Sequence, residues 1–200
     1  MYRRNCAIRS LILLPGATLG LAGCSPDSPT TTSQPGPAAA APYRLTATVQ
    51  DLMDGIVDPS ADVLWDSVAY IANTQGIEDR QPRTDEEWKT VRYSAITLIE
   101  AANLLSMPGR QVAAAHNPAV PEAPPGIGEL SHAEIQQRID STHDSFTQFA
   151  RNLQDAASKA LTAIDARNPQ GLMDAGGVID EACEACHVTY WYPNQNRPGT

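Results

Sequence analysis

Two shortages shape this 200-residue chain before any motif is read. It has only four cysteines, and it has few cations, 14 Lys and Arg against 23 Asp and Glu. A chain with formal net charge -9 repels nucleic acid and anionic headgroups, so neither class of partner fits it. No stretch alternates apolar and polar residues as a strand would, and no internal repeat signals a solenoid. A catalytic triad, a phosphate loop and a paired-carboxylate cleft are all missing as well, so the sequence offers no enzyme. The apolar run that begins at Leu11, Ile12, Leu13 and Leu14 is too short to cross a bilayer as a permanent helix.

That run has the marks of an export signal. Arg3, Arg4 and Arg9 precede it, and Leu21-Ala22-Gly23-Cys24 closes it. The closing residues resemble the lipobox of bacterial lipoproteins, which implies cleavage after residue 23 and a lipid on Cys24. An ordinary signal peptide that happens to meet a cysteine is the competing reading. The Arg3-Arg4 pair reads as generic positive charge. Removing residues before Cys24 takes away three arginines and no acid, which moves the formal charge from -9 to -12. Cys6 leaves with the signal and Cys24 is modified, so only Cys183 and Cys186 remain for the folded part, and a disulfide framework is excluded. The acidic surface would steer a basic patch on a partner, although solubility alone also accounts for it.

The mature chain divides by composition. Residues 24–43 comprise the lipidated cysteine and a tether of Ser, Thr, Pro and Ala, which cannot bury enough apolar surface to repay ordering. A flexible coil of that length reaches roughly 20–25 Å. Residues 44–192 carry helical periods, and 193–200 form a tail. The first predicted helix uses Leu45, Val49, Leu52, Met53, Ile56 and Val57, is interrupted or kinked at Asp58-Pro59, and resumes through Leu64, Trp65, Val68 and Ile71. Thr84 with Glu87 caps a second helix carrying Trp88, Val91, Ala95, Leu98, Ala102 and Leu105. A proline-rich crossing loop follows from Gly109 to Leu130. Ser131 with Glu134 caps a third helix of about 35 residues, long enough to expect a bend. Asn168-Pro169 starts the fourth, which turns Leu172, Met173, Ile179 and Ala182 inward. The expected fold is all-α, an antiparallel four-helix bundle.

The fourth helix ends in Cys183-Glu184-Ala185-Cys186-His187, a C-x-x-C-H. On a helix the three side chains share one face, so both thiols can bond the edge of a porphyrin while the imidazole rises under its iron. The motif therefore predicts one covalently attached haem c, with His187 as an iron ligand. A redox CxxC would sit after a strand at the start of a helix, and a zinc site would need a fourth ligand at characteristic spacing.

From Phe149 to Tyr190 the chain resembles the cytochrome c prime family, antiparallel four-helix bundles with CxxCH near the C-terminus. The resemblance implies the fold, the haem and outward-facing redox chemistry in the periplasm. It covers the second half of the domain well and the first half mainly by pattern. Val188-Thr189-Tyr190 keeps the family's aromatic position, but Trp191 replaces the usual base, so the family's proximal tuning does not carry over. In low-spin relatives a methionine placed like that of the Leu52-Met53 pair is the distal ligand, which implies Met53 on iron. An ordinary core methionine is the alternative. Met173 lies about 21 Å up the helix from His187. Met107 is a weaker second choice, and His116, His132 and His143 are not expected to bind iron.

Two functions follow. With His187 and Met53 on iron the protein is a membrane-tethered carrier of single electrons serving a redox partner. With the distal face open it binds small gases such as nitric oxide. A haem-bearing interaction module is a blander third. Bundles of this family often form homodimers through their first two helices, yet the Asp58-Pro59 kink falls on that surface.

Overall fold

The computed structural model describes residues 43–74, 76–114, 125–193 and 195. These residues are mostly helical, with one small two-stranded sheet. The first rod starts at Thr48, whose side chain accepts from the Asp51 N–H while the Asp51 carboxylate accepts from the Thr48 N–H, a reciprocal cap. Helix α1 (Val49–Leu52) runs into a π-helical turn (Met53–Val57) and then α2 (Asp58–Asp66) with no break in helical dihedrals. The Asp58 N–H bonds the Met53 carbonyl five residues back, which opens the wider turn. Pro59 explains it: a proline ring clashes with the carbonyl four residues before it, and one extra residue in the turn relieves that clash without stopping the rod.

The rod ends earlier than the periodicity predicts. Ser67 caps the end of α2, its N–H donating to the Trp65 carbonyl and its hydroxyl to the Leu64 carbonyl at 2.7 Å. Beyond it, β1 (Ala69–Asn73) pairs antiparallel with β2 (Gly76–Arg80), Ala69 opposite Arg80 and Asn73 opposite Gly76. The expectation of no strand is therefore corrected, and Ile71 is a half-exposed strand residue rather than part of a helical layer. Gly76 at φ 133° makes the reversal, a conformation that side chains rarely adopt.

Helix α3 (Asp85–Leu105) carries the Thr84 and Glu87 capping box. All six residues expected to face inward are buried. The third helix is two: α4 (His132–Ser141), capped by Ser131 and Glu134, and α5 (His143–Asp165), separated at Thr142 (φ -136°, ψ 38°). The expected bend is thus a break. Buried Tyr190 fills it, sharing a hydrogen bond with the Thr142 hydroxyl at 3.0 Å and meeting Phe146 and Phe149 edge-on. Helix α6 (Pro169–Tyr190) begins at Asn168, whose side chain accepts from the Gly171 N–H at 3.0 Å.

Helix α5 packs along both α3 and α6, and α2 packs against α3 and α6. The start of the first rod is tied down by strand-like bonds, Val49 N–H to Gln111 O at 2.8 Å and Gln50 N–H to Val112 O at 2.9 Å. Buried Arg110 sits beneath, donating to the carbonyls of Ala47 and Leu104. At the other end of the chain Leu130 N–H bonds Trp191 O, and Arg138 bonds Thr189 O, both at 2.8 Å. The Val112 N–H, donating to Gln136 of α4 at 2.7 Å, links the two sets, and Gln50, Met53, His187 and Trp191 border one opening, so the start of α1 and the end of α6 lie in the same part of the molecule. No described helix is long and apolar enough to cross a membrane.

Candidate haem site

Near its C-terminus α6 behaves unlike the other long helices. Between Ile179 and Tyr190, both fully buried, no residue is buried, although Ala182, Cys183, Cys186 and Val188 are apolar. Ala182, Cys183 and Cys186 pack only partly against the core and also border an open space. That space is a cleft with a cavity volume of about 190 Å³. Cys183, Cys186 and His187 line it from α6. Met53 lines it from the π-helical turn, followed at four-residue intervals by Val57, Ala61 and Trp65. Leu105 closes the α3 side, and Phe146, Phe149, Ala150 and Leu153 form the α5 wall. The structure so brings Met53, Cys183, Cys186 and His187 around one volume.

The donor set and the wall chemistry suit a flat apolar group with two sulfur attachments and nitrogen and thioether ligands. Burial pushes the Cys183 thiol up to about 11, with the Asp58 and Asp180 carboxylates adding to it. Burial also pushes Cys186 up to about 12, with Cys183 adding. Both thiols are therefore protonated at neutral pH. A thioredoxin-like pair needs the opposite shift, towards thiolate, so the redox-CxxC reading is disfavoured. Among the described residues no three or more of His, Cys, Asp and Glu group as a metal cage.

The mouth is acidic. Asp58, Asp180 and Glu184 line it, and burial raises the Asp58 carboxyl above the usual range, with His187 opposing and Asp54 and Asp62 reinforcing. The first rod carries Asp51, Asp54, Asp58, Asp62 and Asp66 within residues 49–66. Helix α6 adds Asp174, Asp180, Glu181 and Glu184, and neither stretch contains a Lys or Arg.

A second opening shares Met53, Asp58 and His187 with the cleft and is bordered by Gln50, His132, Trp191 and Tyr192. His132, expected to be a surface residue, thus stands at this end of the molecule. The rings of Trp191 and Tyr192 lie 6.2 and 6.0 Å from the His187 ring, and the Tyr192 hydroxyl donates to Glu184 at 2.5 Å. Met107 lies elsewhere, its sulfur 3.5 Å from Arg110 Nη2. Met173 and His143 do not line the cleft. Cys24 and His116 lie outside the described residues.

The sequence reading did not single out the cleft walls. The four-residue stripe from Met53 to Trp65 was legible as an apolar face, but a core face and a ligand wall have the same period. Leu105, on the buried face expected of α3, shares that period. No family model, no curated protein and no solved structure matches this chain, and the site rests on its own residues.

Proposed function

We propose that the cleft holds one haem c, bonded through Cys183 and Cys186, and that the chain is an antiparallel four-helix-bundle cytochrome of the cytochrome c prime type. It carries single electrons outside the cytoplasm and is not an enzyme. The observation that supports this most is the convergence of Met53, from the first rod, and the whole C-x-x-C-H, from the last helix, on one apolar cleft.

Haem bound there supplies a one-electron iron couple. His187 and Met53 would hold the iron in this reading, and an imidazole with a thioether would raise its potential relative to two nitrogen donors. Phe146, Phe149, Val57 and Leu153 exclude water from the walls, which strengthens every charge interaction inside. Asp58, Asp180 and Glu184 put negative charge at the mouth, which favours the more positive oxidation state and opposes the thioether. Tyr190, wedged between α4 and α5, fixes the helix end that presents His187.

Met53 decides the mechanism, and a spectrum tests it. In the purified holoprotein the oxidised form should be low-spin, and the reduced form should bind carbon monoxide slowly or not at all, because an occupied sixth site must open first. Met53→Ala should become high-spin, bind the gas readily and fall in potential while the haem stays covalently held. A wild-type spectrum already high-spin and indifferent to that change rejects the carrier and promotes the gas-binding reading.

We further place the protein in the periplasm, anchored by a lipid on Cys24. Cys24→Ser should move it from the membrane to the soluble fraction with an unchanged haem spectrum. Retention of the variant on salt-washed membranes rejects the anchor.

A further inference from the structure

Beside the haem cleft, on the outer surface between α2 and α6, runs a second depression that the electron-carrier reading does not use. Leu64, Trp65 and Val68 line it from the α2 side, and Met173, Gly176 and Gly177 from α6, with Asp180 also on its lining. It has about 670 Å³ of empty space counting its open mouth. Trp65 and Asp180 line both this groove and the haem cleft, so they are the wall between the two.

The wall is built with care. The Trp65 indole donates its Nε1 proton to the Gly176 carbonyl at 3.0 Å yet remains 37% exposed. Gly176 permits this approach, since a Cβ there would stand 3.1 Å from Trp65 Cδ1, tighter than most side chains tolerate. Gly177 has no such reason. It is exposed, lies in the interior of a helix, and a Cβ built on it meets nothing within 4 Å. Glycine weakens a helix interior, so an unconstrained one is a cost that packing inside this molecule does not explain. What it does is leave the groove floor as bare backbone, open to close approach from outside.

From this bare floor, the half-exposed indole and the charge around them, we infer that the groove is the docking surface for a redox partner that presents basic side chains around an apolar contact. The inference rests on the haem reading. The occupant's charge follows from complementarity: α2 and α6, which form the groove, carry seven acids and no Lys or Arg. Such a field steers a cationic protein and repels an acidic one, a second copy of this chain included. The groove supplies the apolar centre, and the acids supply the rim. In the exchange itself one electron leaves the reduced iron of this protein and enters the oxidised iron of the partner, with no proton or bond transferred. Trp65 is then a positioning residue that, like Asp180, borders both partner and haem cleft.

The test uses the full holoprotein with a lysine-rich basic cytochrome as the probe. Gly177→Arg places bulk and positive charge in the groove, and Ser158→Arg makes the same net charge change at an exposed site on α5. At low salt Gly177→Arg should slow electron exchange by about tenfold, while Ser158→Arg should change it by less than about twofold. At 1 M salt, where the screening length is about 3 Å, the steering contribution should vanish. Amide and indole NMR signals should shift at Trp65 and Gly177 when the probe is added. Equal slowing by both variants would show that net charge alone acts, and shifts centred on α3 or α5 would place docking elsewhere; either overturns the inference. Absence of covalent haem from the absorption spectrum would instead defeat the reading on which it rests, so the two failures are separable.

Discussion

The two sides of α5 solve opposite problems with similar helices. Towards α3 the contact is filled by small residues, Ala95, Ala101 and Ala102 on one helix and Ala156, Ala157 and Ala160 on the other, with Leu98 fully buried among the core. Small side chains let helix axes approach closely. Polar ties then cross the seam, Arg92 to Asp165 at 2.7 Å and Gln154 to Asn103 at 3.0 Å. Towards α6 and the first rod, large side chains, Phe146, Phe149, Leu153 and Met53, stand around a volume without filling it. One side is a structural seam that needs nothing added. The other leaves a space that the proposed haem would fill, and it is there that Asp58, Asp180 and Glu184 gather.

The strongest way to break this contrast is to deny the open side its ligand. Cys183→Ala with Cys186→Ala should give a chain without haem that fails to fold stably, because the cleft then has no filling, whereas each single change leaves haem singly attached or lost. Acid-acetone extraction reports attachment and circular dichroism reports folding. Wild type that surrenders all its haem to acid-acetone would sink covalent attachment. A double variant with native stability would show that the α3 and α5 seam suffices alone.

The contrast is sharpened from the other side by Leu98→Ala. A fully buried leucine cut to alanine should cost about 2–5 kcal/mol, read from denaturant unfolding, and leave the haem spectrum of the folded protein unchanged. A spectral change would mean that the seam and the cleft are mechanically coupled.

The smallest effect concerns the helix starts, which both sides share. Asp51, Glu87 and Glu134 accept hydrogen bonds from the Thr48, Thr84 and Ser131 caps, which hold their carboxyls below the usual range. A depressed folded-state value means stability that is present above the unfolded value and lost as pH falls through the folded one. Thermal stability should therefore fall modestly on acidification, and Glu87→Gln should flatten that dependence. An unchanged pH profile in the variant would remove the cap from the account.

How much of this was readable beforehand depends on the range of the interaction. The Thr84 and Ser131 caps, the Asn168-Pro169 start and the buried face of α3 all came out of the sequence correctly, since each rests on residues three or four apart. The Thr48 cap was missed because its partner is Asp51, a shorter acid than the usual Glu. The hairpin was missed because Val68 and Ile71 continue the helical period by chance, while Ser67 and Gly76 stop it.

By itself, then, the sequence determined where helices begin, which faces are apolar, and that two thiols and an imidazole share one turn of α6, because backbone geometry makes those relations local. Tertiary structure decided the rest. Only packing could say that the apolar face of Met53 and Trp65 encloses a space while that of Leu98 does not, that Thr142 breaks its helix to receive Tyr190, and that Gly176 exists to admit an indole from α2. Those depend on side chains far apart in the chain, whose meeting no period or spacing encodes.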